Sequence, residues 1–148
     1  MTELYFEDLA VGDRFVTGEH ALDAAQIVAF ARQFDPQPFH LDDIAAKNSM
    51  FGGLAASGWH TAAISMKVLV ESGPKIAGGV IGGSGMLTWP RPTRPGDILH
   101  VECEVLEVVP SRSRPDRGMI VMRNDTMNQH GEVLQSFTVK MPVPRRPA

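Results

Sequence analysis

Apolar residues recur at two periods along the chain, and the change from one to the other separates a helical first half from a stranded second half. Ile27, Phe30, Ala31 and Phe34 lie at i, i+3, i+4 and i+7, one stripe of an amphipathic helix. Asp23 stands where an N-cap belongs, with Gln26 three residues on to complete a capping box. Pro36 and Pro38 end that helix, because a residue before proline is pushed out of α geometry, so Asp35 to His40 is expected as a stiff, extended loop. Ahead of it, Asp13 to His20 carries Phe15, Val16 and Thr17 and predicts a strand. A short helix is expected over Asp43–Lys47, capped by Asp42.

Gly58–Ser72 predicts the longest helix, with Ser57 as its cap and Gly73-Pro74 as its stop. Trp59, Ala62, Ile64, Met66, Val68, Leu69 and Val70 fall on every side of it, the pattern of a helix buried all round. At 1.5 Å per residue it would be about 22 Å long. After it the period falls to two. Ile81–Trp89 is one expected strand. Asp97–Val109 is another, with Leu99, Val101, Cys103 and Val105 on one face and His100, Glu102 and Glu104 on the other. The phase slips at Val105-Leu106, which predicts a bulge. Met119–Asn128 and Glu132–Met141 flank the turn Gln129-His130-Gly131, and Pro142–Ala148 reads as a loose tail. The sum is an α+β chain, one antiparallel sheet wrapped around a helix, whose open edges invite a second copy to extend the sheet.

Length and charge narrow the partners. A chain of 148 residues fits one domain and would bury roughly 68–70% of its unfolded surface. With 14 basic against 17 acidic side chains it has no surplus for nucleic acid. Its one cysteine, Cys103, excludes an internal disulfide or a CxxC motif. No run reaches the ~20 apolar residues of a membrane helix, and the N-terminus is acidic where a signal peptide is basic. A cytoplasmic protein is the expectation.

The string Phe34-Asp35-Pro36-Gln37-Pro38-Phe39-His40-Leu41-Asp42 holds a carboxylate and an imidazole close together with little freedom between them. That suits a pre-organised acid–base pair, and equally a turn cap beside a surface histidine. The start of the long helix, Ala56-Ser57-Gly58-Trp59-His60, offers free N–H groups to an anion or oxyanion, or is an ordinary cap. The loop Gly78–Gly85 is neither a Walker loop nor a dinucleotide fingerprint, and Ser57 and Ser84 lie outside any Gly-x-Ser-x-Gly elbow. The scattered histidines give a metal site no support.

Asp35-x-x-Pro38-x-His40, followed by Leu41-Asp42, resembles the Asp-x-Asn-Pro-x-His motif of the MaoC-like dehydratases, which include the (R)-specific enoyl-CoA hydratases. Gly58 falls where that family has a glycine opening its central helix, and Pro95-Gly96-Asp97 looks like its turn before a long strand. Gln37 replaces the usual asparagine, and Phe34 a small residue before the aspartate. The resemblance implies a hot-dog fold, a homodimer, and reversible hydration of a trans-2-enoyl-CoA to an (R)-3-hydroxyacyl-CoA. In that reading Asp35 and His40 activate water and the Gly58 N–H holds the thioester oxygen. Gln37, Pro38 and Ser57 would border the substrate, while Arg91 and Arg94 meet the phosphates of coenzyme A or form a solvated rim. No metal or other cofactor is expected. A hot-dog thioesterase and a non-catalytic acyl-CoA-binding subunit are the alternatives; the long helix has no carboxylate before Glu71, which counts against the first.

Overall fold

The alternating segments of the second half pair into one antiparallel sheet. The computed structural model describes residues 2–148. After a 3-10 turn at Phe6–Asp8 come β1 (Arg14–Val16), β2 (His20–Ala21), α1 (Ala24–Phe34), α2 (Pro38–Leu41), α3 (Asp43–Lys47) and α4 (Gly58–Ser72). The chain then runs through β3 (Ser84–Thr88), β4 (Ile98–Pro110), β5 (Arg117–Met127) and β6 (Val133–Pro144). The strand order is β1-β4-β5-β6-β3, with β2 also on β4. The α+β reading holds, and among the described residues no helix is long and apolar enough to cross a membrane.

Leu99, Val101, Cys103 and Val105 of β4 all point inward and are at most 2% exposed. The register on β5 shifts between Val105 and Glu107, the bulge that the phase slip predicts. Against this inner face α4 packs Val68 and Leu69 beside Val101, Ile120, Met122 and Val139, while Ile64 joins Leu99, Leu134 and Ile27 of α1. The sheet covers only one side of α4, however. Trp59, Met66 and Val70 are 60%, 42% and 68% exposed, so the expectation of burial all round fails: one sheet layer can cover only one face of a helix.

Other differences have local causes. The first strand divides in two because the Gly18 N–H turns away to the Ser72 hydroxyl of α4. At Asp23 only half of the capping box forms: its carboxylate accepts from the Gln26 N–H, while the Gln26 side chain goes to His20 and the Ala21 carbonyl. Phe34 does not complete the stripe; it is 68% exposed beyond the helix's packed face. The tail starts later than expected. Pro142–Pro144 pair with Arg117–Met119, and Arg145 and Arg146 are tied to Glu7 and Asp8. Prolines are tolerated there because Pro142 and Pro144 share the parity of Lys140, whose carbonyl faces away from β5 toward Gly83; their missing N–H groups fall on an edge that β3 no longer covers.

Candidate active site

Asp35 closes α1, its N–H bonding the Ala31 carbonyl at 2.9 Å. The stretch to His40 is not an extended loop throughout. Pro38 occupies the first position of α2, where a missing N–H costs nothing and a fixed φ favours the helix. That turn carries His40 inward until its side chain is 5% exposed, with Nε2 at 3.3 Å from Asp35 Oδ2. The two proline-flanked residues thus do form a pair.

Main-chain and side-chain bonds fix both members. His40 Nδ1 donates to the Ala55 carbonyl at 2.6 Å. In the neutral ring this sets the tautomer: Nδ1 carries the proton and Nε2 is bare. Asp35 Oδ1 accepts from the Gln37 amide at 2.6 Å. Burial pushes the Asp35 carboxyl up, but hydrogen bonds from Ser57 and Gln37, with the charge of the His40 ring when it is protonated, outweigh it and hold the group below the ordinary carboxylate value. Asp35 is therefore ionised at neutral pH. With the ring in that neutral form, the carboxylate and the bare Nε2 are a pair of acceptors, and one water can donate to both.

Both residues open onto a cavity of about 340 Å³ that Gly58, Trp59, Thr61 and Trp89 also line. Ser57 is fully buried beneath it and caps α4, its Oγ accepting from the Trp59 N–H at 3.2 Å. The Gly58 N–H is the first of the helix and has no intrahelical acceptor, so the positive end of the α4 dipole meets the cavity. Beside Gly58 the space is taken by an indole. A Cβ built there would lie 2.7 Å from a ring carbon of Trp89. Packing against the indole therefore favours glycine here.

The expected substrate neighbours divide. Gln37 and Pro38 do not line the cavity; they position Asp35 and start the His40 turn. Arg91 stands at the rim, 60% exposed and paired with Glu132 at 2.9 Å. Arg94 is not available as a phosphate ligand. Its guanidinium donates to the carbonyls of Phe51, Gly53 and Leu54 and pins the loop that places Phe51 beside His40. Sequence reasoning missed Trp89, the Ala55 carbonyl and the Thr61–Thr93 hydroxyl pair at 2.8 Å. A main-chain acceptor leaves no mark in sequence, and Trp89 reads there only as the end of a strand.

Comparison with known proteins gives a consistent result. Residues 9–125 match the family described as MaoC like domain. The 3-hydroxybutyryl-CoA dehydratase of Methylorubrum extorquens is 34% identical over 141 residues, 94% of this chain and 85% of that protein. An uncharacterized protein of Bacillus subtilis is also 34% identical, over 83% of this chain and 86% of its own. Among solved structures, a MaoC-like dehydratase from Rhodospirillum rubrum superposes with a TM-score of 0.96 at 61% identity, covering 98% of this chain and 99% of the other. The R-hydratase of Pseudomonas aeruginosa gives 0.72 at 26% identity, over 97% and 88%. The helix-in-sheet architecture is the hot-dog fold of these neighbours.

Proposed function

The chain belongs to the MaoC-like dehydratase family, and from that premise we propose that it interconverts a trans-2-enoyl-CoA and an (R)-3-hydroxyacyl-CoA. The observation that carries this reading is the Asp35–His40 pair, 3.3 Å apart, at the inner wall of a cavity that the N-terminus of α4 also faces. One water donates to the Asp35 carboxylate and to His40 Nε2, which leaves an oxygen lone pair for C3 of the enoyl group. As the C3–O bond forms, the pair takes one proton from the water and the C2=C3 electrons move to the thioester oxygen. There the Gly58 N–H receives the developing charge. The proton held by the pair then passes to C2. Water is thus added as OH and H with nothing left over, and dehydration is the reverse. The thioester itself acidifies the α-carbon, so the reaction calls for no metal or redox cofactor.

Coenzyme A would leave by the rim, past Arg91. The exposed stripe of Trp59, Met66 and Val70 and the free edge of β3 are the surfaces on which a second copy would complete a homodimer. A cytoplasmic enzyme remains part of the proposal. The test is incubation with crotonyl-CoA, followed by loss of enoyl absorbance and chiral analysis of the product. Formation of the (R)-3-hydroxy thioester is expected. Release of free thiol instead would make the protein a thioesterase, and no change in either signal a binding subunit.

A further inference from the structure

The carbonyl on which the His40 ring depends belongs to the loop between α3 and α4. Residues 51–56 of that loop form neither helix nor strand, so the groups around them set their shape. On one side stand groups close in sequence. The Asp43 carboxylate accepts from the Leu54 N–H at 3.0 Å, and the Phe39 carbonyl from the Ala55 N–H at 3.4 Å. On the other side stands a segment about forty positions later. There the Thr93 carbonyl accepts from the Ala56 N–H at 2.9 Å. The Arg94 guanidinium donates to three carbonyls, those of Gly53 at 2.8 Å, Leu54 at 3.4 Å and Phe51.

These contacts fix the direction of one peptide unit. The Ala55 carbonyl and the Ala56 N–H belong to the same planar trans peptide and point opposite ways. With the N–H held by Thr93, the carbonyl is turned toward His40 and accepts from Nδ1 at 2.6 Å. Arg94 grips the carbonyls just ahead of it, so the loop cannot carry that peptide away. Arg94 is itself held. Its own N–H donates to Asp97 Oδ2 at 2.8 Å, and Asp97 is buried, with Oδ1 accepting from the Asn128 amide.

We infer that Arg94 is a positioning residue for His40: by bonding the carbonyls of residues 51–54 it keeps the Ala55 carbonyl on Nδ1, and so keeps Nε2 bare to accept from the attacking water. The inference rests on the hydratase reading above and adds a residue to its machinery. A competing arrangement lies close by. Asp35 Oδ2 is 3.3 Å from Nε2. A ring released from Ala55 can turn, carry its proton on Nε2 instead of Nδ1, and donate it to that carboxylate, the stronger acceptor. One proton changes nitrogen and no charge changes, but Nε2 no longer accepts from water. Arginine suits the task because its planar fork spans the carbonyls of three residues, which the compact ammonium of lysine does not.

The experiment compares wild type with Arg94→Met and Arg94→Lys by two readouts. The first is nitrogen-15 NMR of the histidine rings, at a pH high enough that their shifts no longer change, with the His40 signals identified by their loss in His40→Ala. Wild type should show a protonated Nδ1 and a bare Nε2. Arg94→Met should carry the proton largely on Nε2, with Arg94→Lys between the two. The second readout is kcat and KM on crotonyl-CoA. In Arg94→Met kcat should fall by about 10–100-fold, the range found when a partner that orients a functional histidine is removed. KM should change little, since Arg94 does not line the cavity. A merely structural role would lower Tm and leave the proton in place. A wild-type ring protonated on Nε2 would overturn the proposal even if neither variant folds. Folded variants that keep the Nδ1 proton would also overturn it, as would an unchanged kcat once the proton has moved. If wild type hydrates nothing but the proton still moves in Arg94→Met, the hydratase reading falls and the hold of Arg94 on the ring stands.

Discussion

Replacing Gly58 separates its packing against Trp89 from the oxyanion role proposed for its N–H. A Cβ at this position would come to 2.7, 2.9 and 3.0 Å from ring carbons of Trp89, where ordinary contact begins at 3.4 Å. The ring is 42% exposed, but its N–H is tied to Gln135, so moving it away strains that bond. Gly58→Ala is therefore an overpacking change, worth about 1–3 kcal/mol of stability. For a chain of this size each kcal/mol lowers Tm by about 2–4 °C. In a Trp89→Leu background the cost should shrink, with a coupling of about 0.5–3 kcal/mol in the double-mutant cycle. Gly58→Pro carries the same Cβ but no N–H. Ser57 before it has φ −55° and ψ 139°, the extended region that a residue preceding proline prefers, so the backbone accepts the change. Crowding is common to both variants and largely cancels when they are compared. The Pro variant should then turn over crotonyl-CoA about 10²–10³-fold more slowly than the Ala variant, the usual effect of losing one oxyanion donor. Thermal melts and initial rates on the three proteins suffice. Equal turnover in folded Ala and Pro variants would show that this N–H plays no part in the reaction. An Ala variant as stable as wild type would show that the indole is not fixed against Gly58.

Asp35→Asn and His40→Ala should each lower turnover by about 10²–10⁴-fold, and the double variant by less than the product, because in the proposed mechanism both act on one water; near-normal rates in either would remove that residue from the mechanism. His60 is 8% exposed, and burial followed by the charge of His20 holds its pKa below the ordinary 6.5. The unfolded chain takes up a proton near that value while folded His60 stays neutral, so stability is undiminished above about pH 6.5 and falls below it, by at most about 1.4 kcal/mol per pH unit. Melts of His60→Phe should lose part of that acid-side slope, and an identical slope would assign it elsewhere. Burial, with the Asp125 charge, pushes the Cys103 thiol up to about 12, so iodoacetamide at mildly alkaline pH should label it only after denaturation. Light scattering should give twice the 16.1 kDa of the chain; a monomer at micromolar concentration would contradict the homodimer.

Much of this molecule is determined locally. The period-two alternation of β4, the bulge at Val105, the bounds of α4 between Ser57 and Gly73, and the capping of α3 by Asp42 follow from steric and hydrogen-bonding rules acting over a few residues. For the same reason Asp35 and His40 are legible as a pair: two prolines between them leave the chain few conformations. Tertiary structure decides what depends on distant groups. Gln37 goes to Asp35 rather than to a ligand, because the turn before α2 brings its amide within 2.6 Å. Arg94 is drawn into the carbonyls of residues 51–54, which are about forty positions away in sequence. The exposed side of α4 is equally invisible to periodicity, because apolar residues on a helix declare only that something should cover them. One sheet reaches one face and leaves Trp59, Met66 and Val70 exposed on the other. Gly58 shows the same division most directly. Its type is readable as a small residue at a helix start, but the reason for it is an indole thirty-one positions later, placed there by the pairing of β3 with β6.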